Sequence, residues 1–183
     1  MKRVQAKMIN DKILNAHRQI YENSCVASSV EMILKLEGFI DVGSTEIQMQ
    51  YRNNAISGDY FDGKTYRKGN QYIKFNKKAF PDLTSTFKCI DHELINGRYV
   101  IIPLLTGTRA NYRVYHNHVI LRLSEKGEYE TRTKLHDRED VIDVKDMVNR
   151  FTDNFNTMNS QPADCRLGVD ILIYGKGIEE AGG

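Results

Sequence analysis

The spacing of apolar residues changes between the two halves of the chain, and this change limits the fold more than any other feature. In the stretch CVASSVEMILKL, residues 25–36, apolar side chains recur with the period of an amphipathic helix. Later stretches such as HVILRLS (118–124) and LGVDILIYGK (167–176) are short, apolar and bounded by turn residues, which indicates strands. Helices followed by a mostly antiparallel sheet predict an α+β fold.

The helix predicted over 25–36 has signals at both ends. Asn23 and Ser24 precede it as N-cap residues, and Gly38 follows it as a natural stop. The remaining predicted elements are less regular. They are a short helix or extended arm over 7–19, a helix opening at 44–49, a surface loop over 56–72, a short helix over 90–95, a strand over 99–105, a polar connection over 106–117, a hairpin over 118–135 and a helix over 140–151.

The length of 183 residues suits a single domain, 1–183, with its core between about residues 15 and 175. The net charge of +2, from 26 basic and 24 acidic side chains, gives no general reason to expect nucleic acid or an anionic membrane as partner. No stretch is apolar enough to span a membrane, and the basic N-terminus lacks the apolar run of a signal peptide. We therefore expect a cytoplasmic protein, or an effector secreted without a classical signal peptide.

The three cysteines, Cys25, Cys89 and Cys165, are far apart and odd in number, and they lack CxxC spacing. A disulfide framework and a cysteine zinc site are therefore disfavoured, and we expect neither metal nor cofactor. Cys25 differs from the other two because it falls in the first turn of the predicted helix. The partial positive charge and unpaired N–H groups there favour the thiolate, which is the nucleophilic form. The alternative is a buried, inert cysteine.

A cysteine nucleophile needs a base, and the base needs a group that orients it. His118 is the better candidate base because it opens an apolar strand, from which it can project toward a helix N-terminus. His116 lies two residues earlier, on the same face if the strand already exists there. Asp137 follows at the end of the predicted hairpin and can return beside His118, whereas Asp140 and Asp143 are less well placed.

An oxyanion formed at Cys25 needs hydrogen-bond donors that are in place before the charge develops. The backbone N–H of Cys25, at the helix start, is one candidate donor. The side-chain amide of Gln19, six residues upstream, is a second. The predicted site therefore consists of Cys25, His118, Asp137 and Gln19.

The order of these four residues resembles that of papain-like cysteine peptidases. The stretches CVASSVEMILKLEG, ELINGRYVIIPL and HVILRL look most like the stand-alone relatives of the bacterial domains that remove double-glycine leaders, and the match runs from Gln19 to Asp137. The resemblance implies a papain-like fold, with an N-terminal helix carrying the cysteine packed on a mostly antiparallel β-sheet. It also implies peptide or amide bonds as substrates.

The sequence departs from that family at several points. Val26 stands where the family usually has glycine after the nucleophile, and Arg138 stands where it usually has proline after the aspartate. The chain has no tryptophan. The leader peptidases are fused to membrane transporters, and no stretch of this chain resembles a membrane segment. The first of these departures, Val26, lies directly beside the candidate nucleophile Cys25.

The predicted function is a thiol hydrolase with a peptide or protein substrate, most directly a cysteine peptidase. A glutamine deamidase or acyl transferase of effector type would use the same residues. A non-catalytic papain-like binding module is a further alternative, consistent with Val26 and Arg138. Residues 64–78 hold six basic and three aromatic side chains and no acidic one, a composition that can bind nucleic acid or guide an acidic substrate. The low net charge argues against a large nucleic-acid surface.

Overall fold

The computed structural model describes residues 10–21, 24–52, 56–109, 112–132, 139–142, 147–149, 152 and 169–180, with side chains outside 105–115, 139–142 and 169. Its helices are α1 (Asp11–Ala16), α2 (Cys25–Leu36), α3 (Glu46–Gln50) and α4 (Leu83–Ile95), with a 3₁₀ turn at Gly58–Phe61. Its strands are β1 (Thr65–Lys68), β2 (Gln71–Phe80), β3 (Val100–Arg109), β4 (Tyr112–Leu123), β5 (Tyr129–Arg132), β6 (Glu139–Ile142) and β7 (Val169–Ile178). Residues 147–149 and Thr152 are also helical.

The seven strands form one sheet in the order β1-β2-β7-β3-β4-β5-β6, and every neighbouring pair is antiparallel. The prediction of an α+β fold with an antiparallel sheet and a cysteine-bearing helix is therefore confirmed. None of the helices in the described ranges combines the length and the apolar character that a membrane crossing requires.

Helix α2 has the predicted bounds and lies almost entirely inside the molecule. Val30, Ile33 and Leu34 are fully buried, because the apolar face of the helix packs on the sheet. Gly38 follows the helix end with φ 76°, a left-handed conformation that glycine adopts without steric cost. Ser24 occupies the N-cap, but its hydroxyl bonds to other groups and not to the helix. Ser24, the residue before the helix, is thus held by its contacts with Tyr21 and Gln48 and not by a cap to α2.

Two hydrophobic cores lie on the two faces of the sheet, because successive strand residues point to opposite sides. The first core joins α2 to one face and includes Ile101, Val119 and Leu121. The second joins α4 to the other face and includes Ile102 and Ile120. The central strands are therefore apolar on both faces.

The prediction of a surface loop over 56–72 is wrong in its second half. Residues 65–68 form β1, and β2 starts at Gln71, with Gly69 at φ 61° in the tight turn between them. Ile73 and Phe75 alternate inward along β2, whereas Lys74 is exposed. The hairpin is hard to recognise in the sequence because β1 is a short edge strand with exposed polar side chains.

The polar connection predicted over 106–117 is also wrong, because this segment belongs to the long hairpin of β3 and β4. The backbone pairs from Val100 opposite Ile120 to Arg109 opposite Tyr112, with a β-bulge between Leu105 and Gly107. Ladder hydrogen bonds use main-chain groups and do not require apolar side chains. Hydrophobicity therefore predicts only the apolar half of each strand.

Two helix predictions need different bounds. Helix α4 begins at Leu83, seven residues before the predicted start, with Asp82 accepting a hydrogen bond from the Ser85 amide at 2.7 Å as its N-cap. The helix predicted over 140–151 is wrong at its start, because residues 139–142 form β6 and pair with β5. Among the described residues that follow, 147–149 and Thr152 are helical.

Candidate functional site around Cys25

Cys25 is the first residue of α2 and its side chain is half-buried at the edge of the first core. The side-chain amide of Asn117, on β4, lies 3.3 Å from the Cys25 sulfur. This distance suits an N–H···S hydrogen bond, and such a bond is stronger to an anionic than to a neutral acceptor. Cys25 thus lies between a helix N-terminus and a strand, in contact with one amide donor.

His118 lies on the opposite face of β4 from Cys25. The unbroken register pairs Ile102 with His118 and Val100 with Ile120, and these isoleucines belong to the second core. Only 3% of the His118 surface is exposed, and its ring centroid lies 5.2 Å from that of His116. Asn117 therefore occupies the position beside the sulfur that the sequence assigns to His118.

The side chains that follow His118 explain why it does not meet Cys25. Val119 and Leu121 both lie on the α2 face of β4. A residue adjacent to Val119 must then point away from α2. His116 and His118 do share one face, as predicted.

Gln19 lies in the loop that leads from α1 to Cys25. Its side-chain nitrogen donates to the Tyr21 carbonyl oxygen at 2.8 Å, so this amide bonds within the loop itself. The predicted role of Gln19 as an oxyanion donor remains a prediction.

The third member of the predicted triad, Asp137, lies outside the described residues, together with Arg138, Asp143 and Cys165. Asp140 lies on β6, opposite Thr131 of β5. The role of Asp137 as the orienting carboxylate is therefore still a prediction.

The structure contains a buried polar network between α1 and α2 that the sequence does not indicate. Lys35 lies 3.6 Å from the Glu31 carboxylate and 3.1 Å from His17 Nδ1, and the Ser28 hydroxyl lies 3.0 Å from His17 Nε2. All four side chains are buried. Burial lowers the pKa of Lys35, and the charge and hydrogen bond of Glu31 oppose that shift.

Gln48 of α3 extends this network to the loop. Its amide nitrogen donates to Glu31 Oε1 at 2.9 Å, and its oxygen accepts from the Ile20 amide at 2.9 Å. The i,i+4 spacing of Glu31 and Lys35 was visible in the sequence, but such a pair is usually solvent-exposed. Only the packing of α1 and α3 against α2 shows that it is buried.

The basic run at 64–78 is partly neutralised by acidic neighbours. Lys77 pairs with Asp59 and Asp170, and Arg67 lies 2.8 Å from the Glu179 carboxylate. These ion pairs reduce the charge available to a polyanion. Within the ranges with described side chains, no group of three or more His, Cys, Asp or Glu is arranged to hold a metal ion.

Comparison of the sequence with models of known protein families gives no match, and comparison with curated proteins gives no significant match. Inferences about function must therefore come from the geometry around Cys25 and from the chemistry of its neighbours.

Proposed function

We propose that the protein is a papain-like thiol hydrolase that acts on peptide or amide bonds, with Cys25 as nucleophile. The observation that carries this proposal is the setting of the Cys25 thiol. It is half-buried at the start of a twelve-residue helix, with the amide of Asn117 3.3 Å from the sulfur. A helix N-terminus and an amide donor both suit a reaction that develops negative charge.

In the proposed reaction, the Cys25 sulfur attacks the substrate carbonyl carbon after a base has taken the thiol proton. The carbonyl oxygen becomes an oxyanion, and the Cys25 N–H and the Gln19 amide are the candidate donors to it. Collapse breaks the C–N bond, and the protonated base supplies a proton to the leaving amine. Water then adds to the thioester carbonyl and releases the acid and the thiol.

His118 is the base in this proposal, with Asp137 orienting it. Proton transfer requires the imidazole on the α2 side of β4, where Asn117 lies in this structure. Shifting a strand by one residue exchanges its two faces. Residues 119, 120 and 121 of β4 are all apolar and buried, so the exchange would keep apolar side chains in both cores.

A non-catalytic papain-like binding module is the second candidate. The observation that favours it is the same contact, because an asparagine rather than an imidazole adjoins the sulfur. Such a protein would bind its peptide or protein partner in the cleft beside Cys25 without cleaving it.

Incubation with a peptide library, followed by mass spectrometry, tests the proposal. We expect the wild type to change the mass of some peptides, with cleavage and deamidation giving different mass changes. Cys25→Ala should abolish the change. Cys89→Ala is the matched control, since Cys89 is also a free, half-buried cysteine but lies on α4. Equal turnover by wild type and Cys25→Ala would refute Cys25 as the nucleophile, and the absence of any mass change with the wild type would leave the binding module.

Substitution of the β4 residues identifies the base. If His118 takes the proton, His118→Ala should lower kcat by about 100-fold or more, with little change from His116→Ala. If Asn117 instead stays beside the sulfur and its amide stabilises the oxyanion, Asn117→Ala rather than His118→Ala should lower kcat by about 100-fold. A His118→Ala variant with full kcat would exclude His118 as the base.

A further inference from the structure

We infer that Gln48 is a positioning residue that holds the loop between Gln19 and Cys25 in its working conformation. This inference rests on the proposed function, in which both ends of that loop serve the reaction. Gln48 lies on α3, outside the stretches CVASSVEMILKLEG, ELINGRYVIIPL and HVILRL, and its side chain is completely buried.

The hydrogen bonds of the Gln48 side chain are directed mainly at this loop. Its oxygen accepts from the Ile20 amide at 2.9 Å and lies 3.0 Å from the Ser24 hydroxyl. Its nitrogen donates to the Arg18 carbonyl at 2.8 Å. Residues before Gln19, after Gln19 and immediately before Cys25 are therefore all bonded to one side chain.

Glu31 determines which way the Gln48 amide points. The Glu31 carboxylate accepts from the Gln48 nitrogen at 2.9 Å and lies 3.4 Å from the Gln48 backbone amide. A flipped side chain would bring its oxygen against the carboxylate and would lose the bond to Ile20. Lys35 lies 3.6 Å from Glu31 and compensates its charge inside the core. The orientation of the amide is thus set by α2, the helix that begins at Cys25.

Through Gln48, the buried Glu31 of α2 is connected to Ser24, the residue just before the start of the same helix. Both amide protons of Gln48 are used, and its oxygen accepts from the Ile20 amide and lies within reach of the Ser24 hydroxyl, whose one proton is shared with the Tyr21 carbonyl. A buried side chain with every group satisfied holds its partners in one geometry. Loss of Gln48 should therefore loosen the loop and displace Gln19 and Cys25 relative to the strand face.

The test compares Gln48→Met, which keeps the side-chain length but makes no hydrogen bonds, with Gln50→Met on the exposed side of the same helix. Ser24→Ala is a milder variant that removes one loop contact if Gln48→Met does not fold. Two quantities are measured on the full chain: amide hydrogen exchange of residues 18–24, and the iodoacetamide alkylation rate of Cys25 relative to Cys89.

For Gln48→Met we expect the exchange rate of the Ile20 amide to rise about tenfold. The alkylation rate of Cys25 should change at least about threefold. The alkylation rate of Cys89 and the exchange rates of the β3 amides should stay unchanged. Gln50→Met should match the wild type. Unchanged exchange in the loop would overturn the inference.

The proposed function can fail separately from this inference. If the wild type has no Cys25-dependent turnover, the hydrolase is refuted, yet the exchange measurement still shows whether Gln48 holds the loop. Turnover in the wild type with unchanged kcat and unchanged loop exchange in Gln48→Met would refute the positioning role alone.

Discussion

At the scale of single residues, the contact between Cys25 and Asn117 is the main result. The sequence identified the nucleophile candidate from its place at the start of a helix, and the structure places Cys25 there. The sequence does not indicate a role for Asn117, because an asparagine between two histidines matches no catalytic motif. Its importance follows from a distance of 3.3 Å to a sulfur ninety-two residues away in the chain.

Alkylation by iodoacetamide should distinguish the two described cysteines. Burial, with a smaller contribution from Glu93, raises the pKa of the Cys89 thiol, so its thiolate forms only at higher pH than in an ordinary cysteine. We expect Cys25 to react about tenfold faster than Cys89 at neutral pH. The two rates should approach each other as the pH rises through the pKa of Cys89.

Mass spectrometry of the labelled peptides measures both rates in one sample. Equal rates at neutral pH would contradict the proposal that Cys25 is activated.

At the scale of secondary-structure elements, the face that β4 presents to α2 decides the chemistry of the site. Engineered cysteines can report this face. In a Cys89→Ala, Cys165→Ala background, Asn117→Cys should form a disulfide with Cys25 under mild oxidation, because the two side chains are in contact. His118→Cys should form this disulfide only if β4 is shifted by one residue, as a base role for His118 requires, because in the present register residue 118 faces the second core. Cross-linking by His118→Cys instead would show that β4 presents its histidine to the nucleophile.

The buried pair of Glu31 and Lys35 is a second property of α2. Both side chains are almost fully shielded from water, at 0% and 4% exposure. Lys35→Met should lower the free energy of unfolding by about 3 kcal/mol, because it leaves the Glu31 charge buried without its cation. The double variant Lys35→Met, Glu31→Gln should lose less, because no charge is then buried.

Urea unfolding measures these differences. The matched control is Arg67→Met, which breaks the exposed ion pair with Glu179 and should leave stability close to that of the wild type. A double variant less stable than Lys35→Met alone would contradict this account of the pair.

At the scale of the whole molecule, buried tyrosines link the sheet to the helices. Tyr174 of β7 donates to Glu37 at 2.9 Å and accepts from the Tyr99 amide at 3.1 Å. Tyr129 donates to Asp91 of α4 at 2.7 Å. Burial is the main cause that raises the pKa of Tyr66 and of Tyr99 to about 12, and it raises the pKa of Tyr129 and Tyr174 as well.

These shifts predict loss of stability at high pH. Each raised pKa means that the folded state retains a proton which the unfolded state releases above about pH 10. The stabilisation is therefore complete below pH 10 and is lost as the pH rises toward 12. The tyrosinate absorbance of these four tyrosines should appear together with the loss of the circular dichroism signal, because their ionisation accompanies unfolding.

Tyr174→Phe removes one of these groups, so its free energy of unfolding should fall less between pH 7 and pH 12 than that of the wild type. Tyr60→Phe, at an exposed position, should leave this pH dependence unchanged. A Tyr174→Phe variant that keeps all of the tyrosinate absorbance that accompanies unfolding would contradict this prediction.

The sequence by itself determined the α+β class, the bounds of α2 and the place of Cys25 at its first residue, because helix period and end signals are local properties. It missed β1, the outer half of the β3–β4 hairpin and β6, because those strands pair through main-chain groups and carry few apolar side chains.

Only the tertiary structure decided which side of β4 meets Cys25. Residues 119, 120 and 121 are all apolar, since the strand lies between two cores, so no alternation in the sequence indicates whether residue 117 or 118 faces α2. The same holds for Gln48. A glutamine has no period and no motif, and its hydrogen bonds to Arg18, Ile20 and Glu31 exist only once α3 packs beside the loop that leads to Cys25.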